Sequence, residues 1–198
     1  MFKTDGCEYI RDFLDEPTRE LMTIYYENKI RNGDWKPTVH NPDKEVFHYC
    51  RSFYTMYGDS LTEAILFKKL PLVSRICGKE LYPTYSFVRI YQENDIMERH
   101  IDRHSCEISL TVSIFTNKNK SIFYVEDLNS NVKEFDIEPG DAVIYLGEKT
   151  YHGRKPIEKD QFLVQIMLHY VDKNGPYKDY KYDKRPGLGY PLSSQKYG

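Results

Sequence analysis

Apolar and polar residues alternate with two different periods along the chain. Over residues 17–31 and 60–77, apolar positions recur every three or four residues, which predicts two helices. Pro17, preceded by two acidic residues, is typical of the start of the first helix, and Asn32-Gly33 is typical of its end. Pro71 predicts a kink or a break within the second helix.

Short segments in which apolar and polar residues alternate dominate the chain after residue 81. Alternation is the pattern of a strand, and turn residues separate the segments. The predicted strands are 84–91, 106–116, 121–127, 131–137, 141–146, 149–154 and 161–171. Weak alternation over residues 8–14 predicts one earlier strand, and residues 34–58, which have no period, are predicted to form a loop. Helices followed by short strands predict an α+β, mainly β fold with a β-sandwich or jelly-roll body.

The length of 198 residues predicts a single domain, because domains typically contain about 150 residues. We expect that domain to span residues 1–198. Residues 1–80 would supply the supporting helices, and residues 81–172 would form the β core. Residues 173–198 combine Pro, Gly, Tyr and Lys without a period, which predicts a C-terminal coil packed on the surface.

Charge and cysteine content narrow the class of protein. The chain has 28 Lys and Arg against 30 Asp and Glu, and this near balance argues against a nucleic-acid partner held by bulk charge. No stretch approaches the roughly 18 apolar residues that a membrane helix needs, and the first six residues form no apolar signal core. The four cysteines form no close pair, which favours free thiols and a cytoplasmic location.

Three residues have the chemistry of a metal site. His100 and Asp102 are separated by one residue in a predicted polar turn, and side chains two apart in an extended segment point the same way. His152 follows fifty residues later, after the strand 141–146. Two histidines and one carboxylate on one face are the facial triad of non-haem iron(II). A histidine beside an aspartate in a surface turn is the alternative interpretation, because this short motif is common by chance.

Several segments together resemble the iron(II)- and 2-oxoglutarate-dependent dioxygenases. These are EYIRDFLDEPTREL, RIY, HID, EPGDAVIYLG and YHGRKP, and the similarity spans roughly residues 8–185. The prolyl 4-hydroxylase-like branch, with its small viral and bacterial members, is the most similar. The resemblance implies a double-stranded β-helix core that uses iron(II), 2-oxoglutarate and O2, with ascorbate as reductant. By motif, His100, Asp102 and His152 would be the metal ligands, and Tyr91 would contact the co-substrate.

One position departs from the family pattern. Prolyl hydroxylases place an Arg or Lys nine or ten residues after the distal histidine, where it binds the far carboxylate of 2-oxoglutarate. This chain has Gln161 and Phe162 there, and a neutral amide can donate a hydrogen bond to the carboxylate but cannot neutralise it. Arg154, which shares a strand face with His152, is therefore the first candidate for that role, and Arg89 is the second.

Alternation also predicts residues that line a pocket. Ser109, Thr111 and Ser113 form the polar face of the strand after the HID motif, and in the family's barrel this face points into the cleft. Tyr85 shares a face with Arg89 and Tyr91. In a simple strand Arg103 would point away from the face of Asp102, and we keep it as a further pocket candidate. His169 is predicted to be a hydrogen-bonded barrel histidine rather than a fourth ligand.

The function predicted from these residues is hydroxylation of a C–H bond in an amino acid, a peptide side chain or a small metabolite. An intact carboxylate at Asp102 favours hydroxylation over halogenation, because no coordination site is vacated for chloride. Two alternatives stay open: an oxidative demethylase or desaturase on the same metal, and a non-catalytic β-sandwich binding module. The sequence names neither the substrate nor the oligomeric state.

Overall fold

The computed structural model describes residues 2–34, 54–118 and 122–190. Three α-helices lie in these ranges: α1 (Phe2–Asp5), α2 (Glu16–Arg31) and α3 (Ser60–Cys77). The strands are β1 (Cys7–Ile10), β2 (Tyr54–Tyr57), β3 (Leu81–Gln92), β4 (Met97–His100), β5 (Ile108–Thr116), β6 (Ile122–Glu126), β7 (Val132–Asp136), β8 (Ala142–Tyr145), β9 (His152–Arg154) and β10 (Phe162–Asp172). None of the helices described is both long and apolar enough to cross a membrane.

The strands form two antiparallel sheets. The larger sheet has the order β1-β8-β5-β10-β3-β2, and the smaller has the order β4-β9-β6-β7. Apolar side chains from both sheets pack together between them, among them Phe123 and Val125 of β6 and Tyr145 of β8. This arrangement confirms the predicted α+β, mainly β class with a double-stranded β-helix core.

The helices cover the outer face of the larger sheet. Asp15 caps α2 by accepting a hydrogen bond from the backbone of Thr18 at 2.9 Å, and Asp59 caps α3 in the same way. The hydroxyls of Thr62 on α3 and Ser86 on β3 are 2.7 Å apart, which joins helix to sheet. Burial of one sheet face by helices leaves the opposite face of β3 to form the wall of a cavity.

Several elements differ from the sequence-based expectation. The first strand is only Cys7–Ile10, and β2 occupies the end of the predicted loop 34–58, most of which lies outside the described residues. Both strands join the larger sheet, so residues 1–80 contribute strands as well as helices. Of the kink or break expected at Pro71, the break is wrong, because α3 is continuous from Ser60 to Cys77. Pro71 is exposed, so water can bond the carbonyl that loses its helical partner.

The C-terminal segment is more deeply packed than a surface coil. Residues Lys178–Lys184 form 3₁₀ turns, and both Asp183 and Arg185 are buried. The Arg185 guanidinium forms an ion pair with Glu63 of α3, and both side chains are 2% exposed. The backbone N–H of Gly189 donates to the same carboxylate. These contacts attach the end of the described chain to α3.

Replacing Glu63 by alanine is expected to lower the free energy of unfolding by about 3–5 kcal/mol, because it leaves the Arg185 charge buried without its carboxylate. Glu80→Ala is the control, since Glu80 forms an ion pair with Lys173 but its side chain is 71% exposed. That change should cost under about 1 kcal/mol. Urea denaturation of both variants checks the prediction, and equal losses would contradict it.

Candidate metal centre and active-site cavity

The three predicted metal ligands converge at one end of the smaller sheet. His100 is the last residue of β4 and His152 the first of β9, and the two are direct partners across the strand pair. Asp102 follows in the next loop, with Oδ1 3.5 Å from Nε2 of His100 and 3.6 Å from Nε2 of His152. His100 therefore lies on a strand and not in the predicted polar turn. The ligand atoms of all three lie within 4.8 Å of one another.

Backbone carbonyls orient both imidazole rings. Nδ1 of His100 lies 2.8 Å from the carbonyl oxygen of Glu98, and Nδ1 of His152 lies 2.9 Å from that of Thr150. A carbonyl oxygen only accepts, so each Nδ1 carries a proton, which leaves Nε2 as the nitrogen that can bind a metal. Such hydrogen bonds are typical of metal-binding histidines.

Hydrogen bonds fix both the backbone and the carboxylate of Asp102. Its backbone N–H donates to the carbonyl of Gly147 at 2.8 Å, and the Ser109 hydroxyl donates to Oδ2 at 3.2 Å. Burial raises the pKa of this carboxyl group, but the attraction of His152 and His100, in the protonated form that excludes a bound metal, lowers it well below the usual range. Asp102 is therefore ionised at neutral pH, as a metal ligand must be.

Gly147 leaves the space that Asp102 occupies. A Cβ at this position would lie 2.5 Å from Oδ2 of Asp102 and 2.7 Å from Oγ of Ser109. Gly147→Ala should therefore displace Asp102 and weaken metal binding by about 10- to 100-fold. Gly187→Ala is the control, because its nearest neighbours are 3.6 Å away in Tyr190. Calorimetric titration with manganese(II) checks this, and equal affinities in the two variants would contradict it.

The metal centre opens into a cavity of about 620 Å³ between the two sheets. Alternate residues of β3 form one wall, so four side chains from Tyr85 to Tyr91 face the cavity. The residues lining it are Thr55, Tyr57, Tyr85, Phe87, Arg89, Tyr91, Met97, His100, Ile101, Asp102, Arg103, Cys106, Thr111, Phe123, Tyr145, His152, Met167 and His169. Of the predicted pocket and co-substrate residues, five are therefore in the wall: Tyr85, Arg89, Tyr91, Arg103 and Thr111.

Two buried guanidinium groups lie near the Tyr91 ring. Arg154 is 2% exposed, and its guanidinium carbon is 5.1 Å from the Tyr91 ring centroid. Its Nη2 donates to Oε1 of Gln165 at 2.7 Å. Arg89 lines the cavity directly, with its guanidinium carbon 5.6 Å from the same centroid. The sequence analysis missed Gln165 as a partner of Arg154, although alternation places it on the face of Met167 and His169.

Four of the predicted site residues are not among those that line the cavity: Arg154, described above, and Gln161, Ser109 and Ser113. Gln161 is in the turn before β10, where its side chain bonds the backbone of Glu158 at 3.2 Å and the hydroxyl of Thr116 at 3.4 Å. Ser113 is buried but does not line the cavity, because β5 continues past the end of the cavity. Ser109 lies behind Asp102 and bonds Nδ1 of His169 at 2.8 Å. Burial lowers the pKa of His169 to about 4, so this histidine is neutral.

Arg103 is held at the cavity wall by a residue far away in the sequence. Its two terminal nitrogens donate to the carboxylate of Asp183 at 3.0 and 2.8 Å, and the Tyr57 hydroxyl donates to the same carboxylate at 2.6 Å. The guanidinium lies 4.6 Å from the Tyr85 ring centroid. No local pattern identifies Asp183, since the contact depends on how the C-terminal segment folds back.

Solved structures of prolyl hydroxylases and of non-haem α-ketoglutarate-dependent enzymes have a similar fold. No protein-family model and no curated protein matches the sequence. A prolyl-4-hydroxylase from Pseudomonas putida is similar in structure, with a TM-score of 0.66, 12% identity and coverage of 86% of this chain and 95% of that one. The non-haem α-ketoglutarate-dependent epimerase SnoN of nogalamycin biosynthesis has a TM-score of 0.69 at 10% identity, covering 98% and 91%.

A third solved structure extends the comparison to a complex with a peptide. It is a prolyl hydroxylase from Trichoplax adhaerens bound to a fragment of the hypoxia inducible factor oxygen degradation domain. Its TM-score is 0.67 at 17% identity, covering 87% of this chain and 86% of that one. These likenesses establish the fold, which the sequence resemblance had indicated.

Proposed function

We propose that the chain is a non-haem iron(II) and 2-oxoglutarate-dependent oxygenase that hydroxylates a C–H bond of an amino acid, a peptide side chain or a small metabolite. The observation that carries the proposal is the metal centre. Two imidazoles and one carboxylate converge at the wall of a cavity between the sheets of a double-stranded β-helix. SnoN, which shares this fold, has been solved with Fe3+ and α-ketoglutarate.

The donor atoms suit iron(II). His100 and His152 both direct Nε2 toward Oδ1 of Asp102, which gives a set of two imidazole nitrogens and one carboxylate oxygen. Two imidazoles and one carboxylate leave positions of the metal open for 2-oxoglutarate and O2. Bound iron would supply the redox chemistry, in which 2-oxoglutarate is oxidised to succinate and CO2 as one oxygen atom enters a substrate C–H bond.

The residues of this chain bind and orient the reactants. Arg154 is two residues beyond His152 on β9, and we propose that it binds the far carboxylate of 2-oxoglutarate. Its guanidinium lies beside Tyr91, which is in the cavity wall, and this contact supports Arg154 as the cation of that site. Arg89 remains the second candidate for this role. Gln161 is no longer a candidate, because its side chain is bonded outside the cavity.

The rest of the cavity would accept the substrate. Aromatic and sulfur-containing side chains such as Phe87, Met97 and Met167 line it and exclude water from the metal. The peptide bound by the Trichoplax enzyme and the nogalamycin compound bound by SnoN support a peptide or small-molecule substrate. Free thiols at Cys7, Cys77 and Cys106 support a cytoplasmic location.

An oxidative demethylase or desaturase would use the same centre, and a binding module would use none of it. The ionised Asp102 between two oriented histidines favours an enzyme over a binding module.

The test of the proposed function is conversion of 2-oxoglutarate to succinate by the purified protein with iron(II), ascorbate and O2, without and with added amino acids and peptides. We expect succinate that depends on iron and disappears in His152→Ala. Absence of succinate under all conditions would contradict the proposal.

A further inference from the structure

A tyrosine and a cysteine are in contact beside the metal centre. The Tyr85 hydroxyl lies 3.1 Å from Sγ of Cys106. Both residues line the cavity that the metal ligands line. The sulfur, together with ligand atoms of Asp102 and His169, belongs to a cluster whose members all lie within 4.8 Å. The proposed reaction does not use Cys106.

We propose that Tyr85 and Cys106 become joined by a thioether bond between Sγ and the ring carbon next to the phenol oxygen. The modification would be made by the protein's own metal centre, so this inference rests on the proposed function. It adds a site of self-modification that alters the cavity wall before or during turnover.

The surroundings hold the two groups in place for this reaction. The Tyr85 ring stacks on Tyr57 at 4.9 Å with an interplanar angle of 19°, and it packs against His169 at 4.5 Å. The Arg103 guanidinium lies over the same ring at 4.6 Å. These contacts pack the ring with its hydroxyl edge against the sulfur. The carbons at that edge are the ones that carry unpaired spin when a phenol loses a hydrogen atom.

Burial directs the oxidation to the cavity side. Cys106 is 2% exposed and Tyr85 is 8% exposed, so soluble oxidants have little access to either. Burial also raises the pKa of both groups, which keeps the thiol and the phenol protonated and suppresses ionic reactions of the thiolate. Loss of hydrogen atoms to an oxidant formed in the cavity is the route that remains.

The reaction balances with the reactants of the proposed function. The phenol ring loses one hydrogen and the thiol loses one hydrogen, and a carbon–sulfur bond forms between them. This is a two-electron oxidation. Decarboxylation of 2-oxoglutarate with O2 supplies one oxidising oxygen atom, which leaves as water with those two hydrogens. The products are the thioether, succinate, CO2 and water.

The bond would also protect the metal centre. Asp102, Cys106 and His169 are a second group that could hold a metal ion, and it shares Asp102 with the first. A soft metal such as zinc that displaced the thiol proton of Cys106 would bind this group in competition with the two-histidine site. A thioether carries no charge and is a weaker ligand, so the bond would remove this competition.

Mass spectrometry tests the proposal directly. The wild-type protein, prepared metal-free, is incubated with iron(II), 2-oxoglutarate, ascorbate and O2 and then denatured, alkylated and digested with trypsin. We expect the intact mass to fall by two hydrogen atoms and one cysteine to resist alkylation. Peptides 80–89 and 104–118, which contain Tyr85 and Cys106, should appear as one linked species. Cys77→Ser should still form the link, whereas Cys106→Ser and Tyr85→Phe should not.

Separate peptides, or peptides that have gained an oxygen atom instead of a bond, would overturn the proposal. Succinate is measured in the same samples. Succinate without linked peptides would contradict only the thioether, and the proposed function would stand. Absence of both would contradict both inferences.

Discussion

Asp102→Ala is expected to lower the affinity for iron(II), manganese(II) and cobalt(II) at least ~100-fold, because loss of a ligand should exceed the 10- to 100-fold effect of losing a supporting residue. Asp102 supplies the one anionic oxygen in the His100–Asp102–His152 group. Its Oδ1 faces Nε2 of both histidines, and no other carboxylate belongs to that group in the part of the chain that the structure describes.

Isothermal titration of the metal-free protein with manganese(II) measures this effect. The matched control is His104→Ala, since His104 is two residues further on but stacks on Tyr177 at 4.4 Å and does not belong to the metal group. Circular dichroism of both metal-free variants checks that the fold is kept. Equal affinities for wild type and Asp102→Ala would show that the metal binds elsewhere.

Arg154→Ala should raise the apparent KM for 2-oxoglutarate about 10- to 100-fold. A charge-assisted hydrogen bond in a partly dry pocket contributes about 1.5–3 kcal/mol, and each 1.4 kcal/mol is a factor of about ten. Metal affinity should barely change, because the ligands are untouched. Arg154→Lys should recover only part of the loss, since lysine cannot donate two parallel hydrogen bonds to one carboxylate.

Succinate formation at increasing 2-oxoglutarate concentrations gives these constants. Arg89→Ala and Gln161→Ala are measured alongside. Gln161→Ala should leave the constant unchanged, since its side chain bonds Glu158 and Thr116 outside the cavity. If Arg89→Ala raised the constant and Arg154→Ala did not, the carboxylate site would belong to Arg89.

Local sequence patterns predicted the strands in which apolar and polar residues alternate clearly. They missed two four-residue strands that lie at sheet edges. The alternating segments after residue 81 correspond to strands β3 and β5–β10, because a half-buried strand must alternate apolar and polar residues. β2 was predicted as loop, since a four-residue strand at a sheet edge carries too few residues to establish a period. β4 was missed for the same reason, which placed His100 in a turn.

The candidate site likewise contains residues that local sequence patterns identify and residues that they do not. The candidate metal ligands can be predicted from the sequence because a two-residue spacing is enough to place His100 and Asp102 on one side of the chain. The face of Tyr85, Arg89 and Tyr91 is also visible, since it follows from the strand period. Asp183 is not, because its contact with Arg103 spans eighty residues and depends on the fold of the C-terminal segment. How far the cavity extends along β5 is likewise a tertiary property, so alternation alone could not show that Ser113 does not line the cavity.

Anaerobic titration of iron(II) into the protein in the presence of 2-oxoglutarate is the most direct test of the central claim, that His100, Asp102 and His152 hold an iron that binds this co-substrate. We expect a visible absorption band, arising from iron(II) chelated by the keto acid, that reaches its limit at one iron per chain. It should be absent from Asp102→Ala and retained in His104→Ala. A wild-type protein that binds no iron, or binds iron without developing the band on addition of 2-oxoglutarate, would contradict the account.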